Sequence, residues 1–188
     1  AAIGQRLNNG RWVILHEIVT EDMGLERFGT QLLAELNAKY PKAQVLIWGD
    51  PAGMQRDAIY EVTAFDYLRT LGLRAQPTAS NNFKVRREGA AAPMQRLING
   101  KPGLIVNKSC KMIRKSLAGG YHFKRIAVGA GHERFKDSPN KNEHSHIGDA
   151  FGYLMLGGGE HKRMTKNSLA ANTMIVQTIA TADFDVFK

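Results

Sequence analysis

Apolar residues follow two different spacings along this chain, and the two spacings alternate. Short runs rich in β-branched and aromatic residues predict β-strands, and longer segments whose apolar residues recur every three or four positions predict helices. The predicted strands span 1–7, 11–19, 45–48, 73–76, 104–106 and 121–128. The predicted helices span about 25–40, 56–70, 85–98, 111–117 and 145–156. A hairpin turn at Asn8-Asn9-Gly10, followed by alternating strands and helices, predicts an α/β domain with a mixed β-sheet flanked by helices.

Polar segments set the predicted limits of this domain. Residues 129–143 predict a polar loop, and the three glycines at 157–159 predict the end of the last helix. We therefore assign residues 1–159 to one domain and residues 160–188 to a C-terminal tail. The aromatic and acidic end of this tail would suit docking onto a partner protein.

Positive charge is concentrated in one part of the chain. The formal net charge is +9 overall, but it is −2 over residues 1–70, +12 over 71–166 and −1 over the remainder. A basic block of this kind is typical of a surface that binds a polyanion such as nucleic acid. The alternative is a basic surface that serves only solubility.

Cysteine usage and hydropathy exclude several classes of protein. The single cysteine, Cys110, excludes an internal disulfide and a zinc site built from several cysteines, and it fits a reducing cytosol. No apolar run approaches the roughly 20 residues of a membrane span, and the first residues lack the pattern of a secretory signal. There is no phosphate-binding GxxxxGK[ST] loop, so no ATPase of that type is expected.

Asp50 is the first candidate for chemistry. It follows the wholly apolar run at 45–48, which predicts a strand buried on both faces. Catalytic groups in open α/β sheets gather beyond the carboxyl ends of strands, and Gly49 and Gly53 would let a phosphate approach closely. The alternative is that Asp50-Pro51 only starts a turn.

Asp149 is the second candidate, and it lies on the last predicted helix. Helical spacing places it beside Tyr153 and away from the apolar stripe that contains Ile147. Gly148 and Gly152 each cost about 1 kcal/mol relative to alanine inside a helix, which indicates close approach by another element or by nucleic acid. The alternative is a solvated aspartate that favours the start of a helix.

Two aspartates on separate elements, next to a basic half, are the residue types that hold divalent ions for phosphodiester hydrolysis. Asp50 and Asp149 are therefore the candidate catalytic and metal-binding residues, with Mg²⁺ or Mn²⁺ as the candidate cofactor. Candidate contacts to DNA phosphates are Lys84, Arg86, Arg87, Lys124, Lys141 and His146. Such contacts position a duplex without reading its sequence, and a solvated basic face is the alternative.

A series of short motifs supports a more specific hypothesis through its order and spacing. They are Gly49-Asp50-Pro51-Ala52-Gly53, Pro77-Thr78, Asn81, Arg86-Arg87, Cys110, Gly119-Gly120-Tyr121 with Lys124, Pro139-Asn140-Lys141-Asn142 and 145–150. Over roughly residues 1–160 the chain resembles the nuclease domain of bacteriophage large terminase subunits. The resemblance implies a ribonuclease H-like fold and metal-dependent endonuclease activity on concatemeric double-stranded DNA. It also implies that Asp50 and Asp149 are two of three metal-binding acids.

The same resemblance implies partners and a setting. The partners would be double-stranded DNA, an ATPase domain of the same parent protein, a small terminase subunit and the portal of the procapsid. The setting would be the cytoplasm of the host bacterium, with no membrane partner.

The resemblance leaves one expected acid unmatched. In this family the first acid lies on a strand that precedes a segment like residues 1–5, so we expect this chain to lack that first catalytic strand and to be a poor or inactive nuclease. Glu17, near a predicted strand end, is the alternative third acid. Two other functions stay open: a junction resolvase or transposase on the same fold, and a DNA-binding module without catalysis.

Overall fold

The computed structural model describes residues 1–56, 61–127 and 133–160, so the predicted tail beyond Glu160 lies outside the described residues. The strands are β1 (Ala2–Arg6), β2 (Trp12–Glu17), β3 (Leu46–Gly49), β4 (Arg74–Pro77), β5 (Leu97–Ile98), β6 (Lys101–Pro102), β7 (Leu104–Val106), β8 (Phe123–Ala127) and β9 (Glu133–Pro139). The α-helices are α1 (Leu25–Lys39), α2 (Ala64–Thr70), α3 (Phe83–Gln95), α4 (Lys111–Lys115) and α5 (Ser145–Gly157). A 3₁₀ turn at Pro51–Met54 and a π-type turn at Ser116–Gly120 complete the described elements. The predicted mixed α/β class is confirmed.

Two helices differ from their predicted limits because of local capping. Helix α2 begins at Ala64 rather than near residue 56, because Thr63 and Asp66 form a reciprocal capping box at its start. Helix α3 begins at Phe83, two residues earlier than predicted, because the Asn82 side chain accepts a hydrogen bond from the backbone N–H of Lys84. This earlier start places Phe83 on the helix.

The predicted polar loop at 129–143 contains a strand. Strand β9 pairs antiparallel with β8, in a register that places Arg125 opposite Phe135. The segment is mostly polar and exposed where its burial is described, so it lacks the apolar alternation by which a half-buried strand is recognised.

Apart from the β5–β6 and β8–β9 pairs, the described strands form two separate groups rather than the single predicted sheet. In the first group β2 pairs antiparallel with β1 and parallel with β7. In the second group β3 pairs parallel with β4. Among the described strands, β1 and β3 are each paired on one side only.

Helix α5 connects the two groups, because it packs against both β1 and β3. Near β1, the side chain of Leu154 lies close to Gly4. Near β3, a Cβ atom at Gly157 would lie 2.0 Å from the indole of Trp48, so only glycine fits at this crossing. The close approach of α5 to β3 brings the end of β3 next to the helix that carries Asp149.

Two hydrophobic clusters stabilise this arrangement. The cluster packed against α5 contains Ile14, Ile113, Phe151 and Cys110, so the cysteine is a core residue. The apolar stripe predicted for α5 is confirmed by this packing. The second cluster joins α1, α2 and β4 and includes Phe65.

The end of the described chain is fixed by a buried ion pair. The carboxylate of Glu160 is fully buried, accepts a hydrogen bond from the Trp12 indole at 2.7 Å and is paired with Arg96 at 2.7 and 2.9 Å. Glu160 therefore packs with the domain, although the predicted boundary placed it in the tail. Within the described ranges, no helix combines the length and the apolar character needed to cross a bilayer.

Candidate functional site

Asp50 is positioned by the end of β3 and by the turn that follows it. Its side chain caps the 3₁₀ turn, where Oδ1 accepts a hydrogen bond from the backbone N–H of Ala52 at 2.9 Å. The N–H of Thr78 donates to the carbonyl of Gly49 at 3.0 Å, which continues the pairing with β4 just before the aspartate. Asp50 thus starts a turn, as the alternative interpretation proposed, and also stands at the carboxyl end of a parallel strand.

Asp149 is positioned on the first half of α5 by three side chains from other parts of the chain. Its Oδ1 accepts hydrogen bonds from Nη2 of Arg86 at 2.9 Å and from the hydroxyl of Tyr121 at 3.0 Å. Its Oδ2 accepts from Nζ of Lys141 at 2.7 Å. The side chain is 16% exposed, so Asp149 is not the solvated helix-start aspartate of the alternative interpretation.

Arg86 is a buried cation whose hydrogen bonds are directed at the protein. Besides Asp149, its Nη1 donates to the carbonyl of Asn81 at 3.1 Å and to the hydroxyl of Tyr153. The guanidinium carbon lies 4.6 Å from the ring centroid of Tyr153, which adds a cation–π contact. A buried arginine with this set of partners positions Asp149, and it joins α3 to α5.

Tyr153 lies close to both aspartates, because the charges of Asp50 and Asp149 both act on its hydroxyl. That hydroxyl accepts a hydrogen bond from Nη1 of Arg86. Burial is the main cause that raises the pKa of Tyr153, and the neighbouring carboxylate of Asp50 raises it further. Asp50, Tyr153, Arg86 and Asp149 therefore lie together in one polar cluster, which we call the acid network.

Tyr121 closes the acid network on the other side of Asp149. Burial raises the pKa of the Tyr121 hydroxyl, and the neighbouring charge of Asp149 adds to the effect. The Tyr121 ring lies against α5 at Gly148, where a Cβ atom would come within 2.6 Å of both the ring and the Ser116 hydroxyl. The glycine at 148 is thus explained by the approach of a neighbouring element, as the sequence indicated.

The other predicted DNA contacts lie on the surface around this network. Lys141 has a 65% exposed side chain and touches Asp149 from the solvent side. Arg87, on α3, is half exposed and pairs with Glu88 at 2.7 Å. The remaining exposed candidates are Lys84 on α3, Lys124 on β8 and His146 on α5. The structure therefore joins Arg86, Lys141 and Asp149 directly, places Asp50 near them beside Tyr153, and leaves the others exposed on neighbouring elements.

Glu17 has a different position from the one that a third acid would need. Its two carboxylate oxygens accept hydrogen bonds from the backbone N–H groups of Met112 at 2.9 Å and Ile113 at 2.8 Å. These are first-turn donors of α4, which have no partner inside the helix. Glu17 caps α4, and its carboxylate takes no part in the acid network.

The carboxylates of the acid network can be compared with the oxygen ligands and negative charge that a pair of divalent ions requires. Within the described residues, no group of three or more histidine, cysteine, aspartate or glutamate side chains is placed to hold a metal. Asp50 and Asp149 provide two carboxylates, and both are already hydrogen-bonded to protein donors. Two Mg²⁺ ions require more oxygen ligands and more negative charge than this set offers. The described residues on their own therefore do not fit a two-metal site.

Tyr121, Tyr153 and Phe83 contribute to the site without having been predicted as functional. Tyr153 follows Asp149 by one helical turn, so the spacing along α5 was the available signal. The role of Tyr121 depends on packing between distant segments. No family model, curated protein or solved structure matches this chain in comparisons with known proteins.

Proposed function

We propose that this chain is a DNA-cutting domain of the phage large-terminase type, with a ribonuclease H-like arrangement, that acts on concatemeric double-stranded DNA. The observation that carries the proposal is the acid network. It brings Asp50 and Asp149, which are far apart in the sequence, to one place at the carboxyl end of β3. This is the edge where open α/β sheets place catalytic groups.

The arrangement of strands supports the ribonuclease H-like part of the proposal. Strands β1 and β3 are each paired on one side only among the described strands, and α5 packs across both. A further strand between them would join the two groups into one mixed sheet. The proposal places the third acid on that strand, beside Asp50 and Asp149, and Mg²⁺ or Mn²⁺ is the proposed cofactor of the complete site.

The exposed cations support DNA as the substrate. Lys141 lies directly at the acid network, and Lys84 and Arg87 are exposed on the helix that carries Arg86. Exposed lysine and arginine side chains bind phosphates without reading bases, which suits a nuclease that acts on bulk duplex. In this proposal Arg86 holds Asp149 in place, and the exposed Lys84 and Arg87 contact the DNA backbone.

A specific observation favours a second candidate, a DNA-binding module without catalysis. Both oxygens of Asp149 face cations, Arg86 and Lys141. In this candidate the neutralised carboxylate orders the basic side chains around it. In that case the chain would bind duplex in a salt-dependent manner and would cut no DNA under any condition.

The test is metal-dependent nicking of supercoiled plasmid. We expect the chain alone to nick weakly or not at all, and a form extended at its N terminus with the residues encoded upstream to nick in the presence of Mn²⁺. Binding without cutting by both forms would support the second candidate. A strong preference for four-way junctions or for transposon ends over plasmid would favour a resolvase or a transposase instead.

A further inference from the structure

A cavity of about 230 Å³ opens directly beside the acid network. It lies between α3, α5, the π-type turn and the start of β8. Its walls are mainly apolar, and they include Ala90, Ala91, Leu117 and Phe151. Arg86 and Asp149 also line it, so the cavity and the acid network share a wall.

Three aromatic rings stand along one side of this cavity. Phe83 packs edge to face against Tyr121, with ring centroids 5.9 Å apart, and against Phe123, with centroids 5.5 Å apart. All three residues line the cavity. Aromatic side chains in this setting offer faces and edges against which another flat ring can pack.

The cavity also contains a polar group that has no hydrogen-bond partner among the described residues. Ser116 is only 3% exposed and lines the cavity. Its Oγ is buried and makes no hydrogen bond within the described part of the chain. A buried hydroxyl without a partner is costly, and a ligand with a polar edge would satisfy it.

We propose that this cavity receives one unpaired nucleobase of the bound DNA strand. The inference rests on the proposed function, because DNA is the ligand that the site would already hold. A nucleobase is flat, so it can stack on the aromatic side chains, and such stacking tolerates any base. Its edge carries both hydrogen-bond donors and acceptors, which match the Ser116 hydroxyl and the Asp149 carboxylate. A purely aliphatic ligand would offer no hydrogen-bond partner to the Ser116 hydroxyl.

The position of charge supports a nucleotide rather than a neutral aromatic compound. Arg87 also lines the cavity and is half exposed, so it can reach the phosphate next to a captured base. DNA bound in this way would have one base out of the stack near the acid network. The protein would therefore favour substrates in which a base is mismatched, frayed or single-stranded at that point, because the cost of unstacking is lowest there.

The experiment compares DNA binding by the whole chain to three 20-base-pair duplexes. One duplex is fully paired, one carries a single unpaired 2-aminopurine, and one has an abasic site in place of that base. We expect the unpaired 2-aminopurine to increase affinity about tenfold over the fully paired duplex, in line with the stacking contribution of one base. We also expect its fluorescence to be quenched on binding. The abasic duplex should bind with the affinity of the paired one.

Two variants test the cavity itself. Ser116→Ala removes a hydroxyl that makes no hydrogen bond to any described residue, so the fold should be as stable as before while the advantage of the unpaired base decreases severalfold. Ala91→Phe fills the cavity without removing any polar group and should abolish the advantage. Ser138→Ala, which changes an exposed serine on β9, is the matched control and should behave as the wild type.

The outcomes separate this inference from the proposed function. Equal affinity for all three duplexes, with unchanged fluorescence, overturns the base-binding cavity and leaves the DNA-cutting proposal standing. An advantage that Ala91→Phe retains also overturns it. Failure to bind any of the duplexes at low salt contradicts both proposals.

Discussion

Lys141 and Arg86 neutralise opposite oxygens of Asp149, but they do so from different environments. Nζ of Lys141 lies 2.7 Å from Oδ2, and the lysine side chain is 65% exposed. Nη2 of Arg86 lies 2.9 Å from Oδ1, and the arginine side chain is 10% exposed. Because exposed and buried ion pairs contribute very differently to stability, removal of the two cations should have different effects.

Replacement of Lys141 by alanine should weaken DNA binding with little effect on folding. An exposed ion pair contributes about 0–1 kcal/mol to stability, so the free energy of unfolding should decrease by no more than that. If Lys141 contacts one phosphate, the slope of log K against log salt should decrease by roughly 0.9. Fluorescence anisotropy with duplex DNA at several salt concentrations measures the slope. An unchanged slope would place the duplex elsewhere on the surface.

Replacement of Arg86 by methionine should destabilise the domain strongly. The change removes the buried cation that donates to both the Asp149 carboxylate and the Tyr153 hydroxyl, and breaking a buried ion pair costs about 3–5 kcal/mol. Urea unfolding followed by circular dichroism measures the loss. Arg87→Met is the matched control on the next residue of α3, because its side chain is half exposed and its loss should cost less than about 1 kcal/mol. Equal effects of the two substitutions would contradict the assigned position of Arg86.

The buried hydroxyls of Tyr121 and Tyr153 should make the stability of the domain depend on pH. Burial, with the neighbouring aspartates, raises the pKa values of Tyr121 and Tyr153 above the usual value of 10.0. The folded protein therefore holds these protons more tightly than the unfolded chain does. This contribution to stability is complete below pH 10 and is lost as the pH rises above it.

A spectroscopic titration checks this prediction. The absorbance change of phenolate formation should show that Tyr121 and Tyr153 ionise at a higher pH than a free tyrosine. Tyr121→Phe and Tyr153→Phe should each remove one late step and leave that of Tyr40, whose pKa is also raised by burial. The decrease in unfolding free energy above pH 10 should be less steep in both variants. A wild-type titration in which all tyrosines ionise together near pH 10 would contradict the buried network.

Replacement of Glu17 by alanine tests whether this residue stabilises the fold or takes part in DNA cleavage. Loss of the cap should reduce stability by about 1–2 kcal/mol, since Glu17 accepts hydrogen bonds from two first-turn N–H groups of α4. DNA binding should be unchanged once the variant is folded. A thermal melt measures the first effect and anisotropy the second. If cutting in the extended form disappears while the fold is retained, Glu17 is the third acid after all.

Several parts of the site could be predicted from the sequence because they depend on local pattern. The apolar run before Asp50 indicated its strand, and helical spacing placed Asp149 and Tyr153 on the same side of α5. The role of Arg86 could not be predicted in this way. Lys84, Arg86 and Arg87 have the same local pattern as a solvated basic face, and only the packing of α3 against α5 separates the buried Arg86 from the exposed Arg87.

The division of these strands into two groups also could not be predicted from the sequence. Short apolar runs indicate where strands form, but pairing between β2 and β7 or between β3 and β4 depends on contacts across long stretches of chain. Strand β9 was not predicted, because an exposed, polar strand lacks the alternation of apolar and polar residues on which the prediction of strands depends.

We propose that Asp50 and Asp149 act together in DNA cleavage, and neutral replacement of each acid is the decisive test. Asp50→Asn and Asp149→Asn keep the size of each side chain, and Glu21→Gln, at an exposed position, is the matched control. The measurement is Mn²⁺-dependent nicking of supercoiled plasmid by the N-terminally extended form, with circular dichroism to show that each variant is folded. We expect both asparagine variants to lose nicking while the control retains it. Nicking at the wild-type rate by either folded asparagine variant would show that the two aspartates do not act together in cleavage.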